Sequence, residues 1–212
     1  MKLCKLIPIS LTAFLLLTGC GSSKSNTEDY LKEENAIMDK MMEEMDKAQN
    51  TGSAELDFLN GMIPHHQSAV EMSKSYLEYA GKDGEFKGMA ENIISAQNKE
   101  IDQMNTMTER FQKAENPDPE KEAAYLEEYR TLMDKHHSSH TAAETSDLEA
   151  AFAQGMSMHH QMAVDMAEII LKYTEDEELT QFSQNIITEQ EKEITEMQSY
   201  LDKNTDGGNH KH

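Results

Sequence analysis

Residues 57–74, DFLNGMIPHHQSAVEMSK, recur as residues 151–168, AFAQGMSMHHQMAVDMAE, with nine identities in eighteen positions. A second pair of windows, residues 92–104 and 185–197, shares eight identities in thirteen. Self-similarity at such a spacing indicates a duplicated supersecondary unit. The sequence therefore predicts a fold assembled from two copies of one helical unit.

A proline-containing linker divides the two copies. Residues 116–119 read NPDP, and two prolines do not fit a helix interior. We therefore predict one domain over residues 28–203, made of repeat one, residues 28–115, and repeat two, residues 120–203. Residues 204–212 are expected to form a flexible, histidine-containing tail.

Apolar residues follow a helical period in both copies. One stripe starts at Phe58 and its counterpart starts at Phe152, and both advance by steps of three and four residues. No window alternates with the period of two that strands require, so the predicted fold class is all-α. Four long helices with short loops indicate an antiparallel four-helix bundle of two duplicated helical hairpins, with shorter accessory helices. Ser146 and Glu149 have the spacing of a capping box and predict the start of the second hairpin.

Polar side chains interrupt these stripes at equivalent places in the two copies. They are His65, Gln97 and Glu100 in the first copy and His159, Gln190 and Glu193 in the second. Burying such groups is unfavourable unless they are paired or bind a metal. We expect His65 to face Glu100 across its hairpin and His159 to face Glu193, either as satisfied polar pairs or as metal ligands. His66 and His160, one step round the helix, are second ligands or point to solvent.

Methionine and histidine exchange places between the two copies. Met38, Met41, Met42 and Met45 align in that order with Met133, His136, His137 and His140. This exchange keeps the capacity to bind a metal while losing apolarity, so it favours ligation over packing. Met62 and Met156 lie inside the long stripes, where core packing is the usual role of methionine and ligation is the alternative.

Copper is the metal that this set of side chains favours. Thioethers suit Cu(I), imidazole suits Cu(I) or Cu(II), and zinc is an alternative at the His/Glu positions. The candidate metal ligands are His65, His66, His159, His160, Glu100, Glu193, Gln97, Gln190, Met62, Met156, Met38, Met41, Met42, Met45, His136, His137 and His140.

The amino terminus has the features of a bacterial lipoprotein signal. Lys2 precedes an apolar run over residues 6–17 that is too short to span a bilayer. The run ends in Leu-Thr-Gly-Cys, which resembles a lipobox, so residues 1–19 are expected to be removed and Cys20 to carry lipid. Residues 20–27 are then a flexible tether. We expect an extracytoplasmic protein of the cell envelope that meets the membrane through this anchor only.

The charge of the chain excludes one class of partner. It has 40 acidic and 19 basic side chains and a net charge of -21, with no cluster of Lys and Arg. Nucleic acid binding requires such a cluster, whereas a negative field attracts cations. Metal ions are therefore the expected partners.

Both His-His-Gln segments resemble the signature of the domain of unknown function 305 family. The resemblance covers Met62 to Met72, the second copy from Met156 to Met166, and the segments that contain Gln97 and Gln190. It implies a ferritin-like four-helix domain in the envelope, and some members bind copper through Met and His in support of copper tolerance. The sequence departs from the pattern at Ser157-Met158, where the first copy has Ile63-Pro64. Pro64 is expected to kink or restart its helix.

Two alternatives accompany the copper interpretation. A ferritin-like di-metal oxidoreductase would need Glu-x-x-His pairs, and no Glu lies three residues before any His in this chain. A structural surface lipoprotein without metal would leave the histidines as polar pairs. No catalytic motif is present, so we expect a binding protein that sequesters or buffers copper, with a copper exporter or chaperone as the expected recipient of the metal, and not an enzyme.

Overall fold

The fold is all-α, as predicted. A computed structural model describes residues 22–114, 117–139 and 145–205, and Cys20, His140 and the predicted tail beyond Thr205 lie outside these ranges. The described residues contain no strand and form six helices: α1 (Ser22–Lys47), α2 (Ala54–Ala80), α3 (Lys87–Ala114), α4 (Pro119–Ser139), α5 (Leu148–Ile170) and α6 (Glu177–Thr205), with a short 3₁₀ turn at Gly81–Asp83.

Two helical hairpins form the centre of the molecule. Helices α2 and α3 make the first hairpin and α5 and α6 the second, and the hairpins pack on each other through α2 and α5. Helix α1 lies along α2 and also touches α5, while α4 lies along α5 and also touches α2. Each accessory helix thus bridges both repeats, which makes the duplicated chain one packed unit.

The prediction of shorter accessory helices holds for α4, which with 21 residues is the shortest of the six described helices, but not for α1. Helix α1 has 26 residues and exceeds α5, which has 23. It also begins at Ser22, so the first turns of α1 occupy part of the predicted tether. Thr27 is buried there, and its hydroxyl donates to the Ser146 carbonyl over 3.2 Å. Packing against the second repeat accounts for helix where Ser and Lys alone indicated a tether.

Two further local predictions are wrong. The N-cap of α5 is Asp147, whose carboxylate accepts from the Glu149 amide over 3.0 Å, so Ser146 and Glu149 do not form the predicted capping box. Helix α2 runs without interruption from Ala54 to Ala80 through Pro64, so the predicted restart before His65 is absent. The alternative, a kink at Pro64, stays a prediction; the proline removes one backbone donor from the helix.

A continuous apolar core joins all six helices. It contains the buried rings of Tyr76 and Phe152, which stack at 4.2 Å between centroids and fix α2 against α5. At the opposite end, Arg110 of α3 donates to both carboxylate oxygens of Asp176 over 2.7 and 2.8 Å. These contacts hold the two hairpins in register on either side of the histidines.

Among the described helices, none is both long enough and apolar enough to cross a membrane.

Candidate metal centre

Four buried imidazoles form a row where α2 crosses α5. The rings of His65 and His159 meet at 3.8 Å between centroids, and His66 and His160 follow at 6.2 Å and 5.9 Å from their chain neighbours. All four side chains are 0% exposed. We call His66, His65, His159 and His160, in this spatial order, the histidine row. It crosses the interface between the repeats, with His65 and His159 at equivalent positions of the two copies.

A carboxylate closes each end of the histidine row. His66 Nε2 lies 3.1 Å from Glu100 Oε2, and His160 Nε2 lies 2.7 Å from Glu193 Oε2. The prediction that His65 faces Glu100 and that His159 faces Glu193 is therefore wrong. So is the suggestion that His66 and His160 point to solvent.

The physical reason for this correction is the phase of the helix. Successive residues of a helix point about 100° apart. His65 consequently faces the other repeat, while His66 faces the second helix of its own hairpin. The apolar stripe indicated a buried sector, but its width includes both histidines.

Ser68 connects the two central histidines. Its hydroxyl donates to the His65 carbonyl over 2.6 Å and lies 2.7 Å from His159 Nε2, which is also 3.1 Å from the same carbonyl. Since the serine proton is already used, the consistent arrangement has His159 Nε2 carrying its proton toward these oxygens. In that tautomer, Nδ1 of His159 keeps a free lone pair.

The same logic applies at both ends of the row. A carboxylate accepts only, so Nε2 of His66 and of His160 donates to Glu100 and Glu193, and in the tautomer with one ring proton Nδ1 keeps a free lone pair. All three Nδ1 atoms are buried and have no hydrogen-bond partner. An imidazole held by a carboxylate on one nitrogen, with the other nitrogen bare, is the arrangement found around protein metal ligands.

Burial keeps the central pair neutral. Desolvation lowers the pKa of His65 and of His159 well below the ordinary value, and the neighbouring imidazoles lower it further. Both nitrogens of His65 are buried without a partner. A neutral, unpartnered imidazole in an apolar core is costly to bury but is ready to bind a cation.

Each glutamate connects the buried histidine row to the protein surface. The side chains of Glu100 and Glu193 are 22% and 23% exposed, whereas those of their histidine partners are fully buried. Gln97 and Gln190 are buried one turn before these glutamates, and the Oε1 atom of each amide has no hydrogen-bond partner. Both ends of the row therefore combine a solvent-reachable carboxylate with inward polar atoms.

Thioethers lie on the same faces as the imidazoles. Met62 precedes His66 by four residues and Met156 precedes His160 by four, a spacing that makes them neighbours on the helix surface. Both methionines are 0% exposed. The described geometry is compatible with packing and with ligation, so their predicted ligand role stays a prediction.

The methionines of α1 point into the bundle. Met38, Met41 and Met45 are buried, and Met42 is partly exposed in a groove of about 380 Å³ that Met133 also lines. This burial is what core packing predicts for three of them, and their proposed ligand role is untested.

Of the aligned histidines on α4, only one can be placed. His136 Nε2 lies 3.2 Å from Asp165 Oδ2 on α5, in a site separate from the histidine row. The His137 side chain and all of His140 fall outside the described structure. The predicted three-histidine cluster on α4 therefore stays a prediction.

No group of three or more His, Cys, Asp and Glu side chains converges on one point within the described part of the chain. A tetrahedral zinc site and a carboxylate-bridged di-metal site both need such a group.

Sequence reasoning missed Ser68, the residue that fixes the tautomer of His159. A signal was present, since the equivalent position in the second repeat is Met162, one of the few differences inside the shared motif. The two repeats therefore differ at this position, with the Ser68 hydroxyl in the first and the Met162 thioether in the second.

The fold and the histidine row together define a class: a duplicated helical-hairpin bundle with a buried, carboxylate-flanked imidazole centre. Residues 15–108 and 147–212 match the family model described as Domain of unknown function (DUF305). The chain belongs to this family, as the sequence resemblance indicated.

Solved structures with the same fold include forms with Cu(I) and with Ag bound. CopM in the Cu(I)-bound form is 28% identical, with a TM-score of 0.52, over 71% of this chain and 96% of that chain. CopM in the Ag-bound form obtained by soaking is 28% identical, with a TM-score of 0.53, over the same shares. A viral relative, Uncharacterized protein L153 of Acanthamoeba polyphaga mimivirus, is 46% identical over 50 residues. That match spans 24% of this chain and 32% of the viral protein.

Proposed function

We propose that this protein binds and buffers copper, chiefly as Cu(I), at the histidine row and the adjacent thioethers, without catalysis. The observation that carries the proposal is the set of bare nitrogens. Nδ1 of His66, His159 and His160 is buried and unpartnered, while Nε2 of each ring has a hydrogen-bonding neighbour. A core that needed only polar pairs would leave fewer such atoms unsatisfied.

The preference for Cu(I) follows from the donor set. Each end of the row offers an imidazole nitrogen with a methionine one turn before it on the same helix face, and Cu(I) accepts low coordination numbers with soft ligands. Zinc and Cu(II) favour more nitrogen and oxygen ligands than this centre brings together. The likeness to CopM in its Cu(I)- and Ag-bound forms supports the same choice.

We place the protein outside the cytoplasm, held to a membrane by lipid on Cys20. The lipobox-like sequence before Cys20 supports this location. The negative net charge of -21 would raise the local concentration of cations near the envelope surface. A copper exporter or chaperone is the partner class that such a buffer would serve.

An anaerobic competition titration tests the proposal. The full chain with Cys4→Ser and Cys20→Ser, which removes both thiols, is titrated with Cu(I) against a chromogenic chelator, with Cu(II) and Zn(II) in parallel. We expect stoichiometric capture of Cu(I) and weaker competition by the other two ions. Replacing His66 and His160 by Phe fills the space without a nitrogen, and this double variant should lose most of the Cu(I) capture.

A buried polar residue away from the row provides the matched control. Ser183 is 0% exposed and its hydroxyl is unpartnered, so Ser183→Ala should leave Cu(I) capture unchanged. Failure of the parent chain to compete for any of the three metals would favour the structural lipoprotein. Unchanged capture by the double variant would remove His66 and His160 from the ligand set.

A further inference from the structure

A buried carboxyl group docks α1 on α5. Glu34 is 6% exposed, and its side chain lies directly on the backbone of Gly155, where a Cβ atom would overlap Oε1. That Oε1 atom has no hydrogen-bond partner, and the buried Tyr30 hydroxyl lies beside the carboxyl group. Burying a carboxyl group against the backbone without a hydrogen-bond partner is unfavourable, so this residue is unusual for a purely structural contact.

In the second repeat, the side chain at the equivalent position is not a carboxylic acid. The equivalent of Glu34 is Tyr129 on α4, which lies over Gly61, the equivalent of Gly155. Its hydroxyl comes within 3.7 Å of the position that a Cβ of Gly61 would take. In both repeats a glycine leaves room for a bulky side chain, but only the one on α1, Glu34, is a carboxylic acid.

The surroundings of Glu34 do not compensate a charge. The Tyr30 hydroxyl beside it is itself surrounded by neutral or acidic groups: Glu33 on the same helix and Tyr76 and Tyr79 on α2, and Tyr76 donates to Glu149 on α5. No Lys or Arg within the described residues forms an ion pair with Glu34. Burial raises the pKa of Glu34 to about 8, and the Tyr30 hydroxyl moderates the rise.

The carboxy-terminal end of α1 is held more firmly than this docking point. In the turn after α1, the Thr51 amide and hydroxyl donate to Asp57 Oδ1 over 2.9 and 2.8 Å. The next amide, of Gly52, donates to Glu122 Oε1 on α4 over 2.6 Å. The turn includes positive φ values at Asn50 and Gly52. It therefore forms a fixed pivot. Glu34 lies near the middle of α1, between this turn and the buried Thr27, whose hydroxyl donates to the Ser146 carbonyl.

We propose that α1 is a hinged cover whose docking requires an uncharged Glu34, so that it opens as the solution becomes alkaline and exposes the methionines on its inner face. Met38 and Met41 lie on that buried face, one and two turns after Glu34. The link from this opening to metal access rests on the proposed copper function, whereas the gating itself does not.

Peroxide footprinting of the metal-free full chain tests the cover. Hydrogen peroxide transfers one oxygen atom to a thioether sulfur and leaves water, so the oxidation rate reports solvent access to each methionine. Glu34 regains an ordinary pKa when α1 opens. We therefore expect oxidation of Met38 and Met41 to rise by up to about tenfold per pH unit from about pH 5 and to level off above about pH 8.

Three comparisons make the result decisive. Met104, buried on α3, reports global unfolding and should be oxidised more slowly than Met38 and Met41 at every pH. Glu34→Gln keeps the shape without the charge and should give slow, pH-independent oxidation of Met38 and Met41. Glu33→Gln, on the exposed neighbour, should behave like the parent.

Two outcomes would overturn the cover. One is oxidation of Met38 and Met41 in the parent chain that does not change with pH, and the other is oxidation of Met104 at the same rate as Met38 and Met41. The parent profile decides the matter even if Glu34→Gln folds poorly. Because no copper is present, this test fails or succeeds independently of the titration that tests the proposed function.

Discussion

Single residues decide whether each imidazole of the histidine row is a donor, an acceptor or a ligand. Glu100 and Glu193 fix the protonated nitrogen at the ends of the row, and Ser68 fixes it at His159. A carboxylate also makes the imidazole that it touches a more basic ligand. The centre therefore depends as much on these oxygens as on the rings.

We predict that Ser68→Ala lowers the free energy of unfolding by about 1–3 kcal/mol. The hydroxyl is buried and contacts both His65 O and His159 Nε2, so its loss leaves one of these groups less well satisfied. Urea denaturation measures the change. Ser183→Ala is the matched control, because Ser183 is equally buried but has no hydrogen-bond partner. Equal losses in the two variants would contradict a special role for Ser68.

The residue scale is also where prediction from the sequence reached its limit. The repeated motif correctly indicated that His65 and His159 are buried at equivalent places. It could not assign Glu100 to His66, because a difference of one residue rotates the side chain by about 100° and only the neighbouring helix decides which direction is filled. Ser68 was visible only as a mismatch between the repeats.

At the scale of elements, the two accessory helices are related by duplication but docked differently. The hairpin helices α2, α3, α5 and α6 could be predicted from the stripes, since their period and order determine a bundle. The length of α1 could not, because its first turns contain Ser, Lys and Asn and become helical through contacts with the second repeat. Local propensity is weaker than such tertiary contacts.

We expect Gly155→Ala to weaken the docking of α1 and to lower stability by about 1–3 kcal/mol. The added methyl group would overlap Glu34 Oε1, so either the side chain or the helix has to move. Thermal or urea unfolding gives the magnitude. Adding Glu34→Ala should recover part of the loss, because the double variant no longer places two groups in one volume.

A glycine with open space around it is the control for that prediction. A Cβ at Gly88, near the start of α3, would meet nothing within 4 Å. Gly88→Ala should therefore stabilise the protein by up to about 1 kcal/mol through reduced backbone entropy in the unfolded chain. Similar destabilisation by both substitutions would show that the loss at Gly155 does not come from the contact with Glu34.

For the whole molecule, two buried sites respond to pH in opposite directions. The pKa of Glu34 is raised, so the stability that its neutral form provides is complete below about pH 4.5 and is lost as pH rises to about 8. The pKa values of His65 and His159 are lowered, so the stability linked to their neutral rings is present above about pH 6.5 and is lost as pH falls below it.

We therefore predict that the metal-free protein is most stable near pH 6.5. Above this value the charge on Glu34 removes about 1.4 kcal/mol per pH unit up to about pH 8, and below it the protons taken up on unfolding by the two histidines outweigh the single carboxyl.

Urea denaturation across the pH range measures both limbs. Glu34→Gln should reduce the alkaline slope by one proton. His159→Gln should reduce only the acid slope. An alkaline limb that is unchanged in Glu34→Gln would exclude Glu34 as its source.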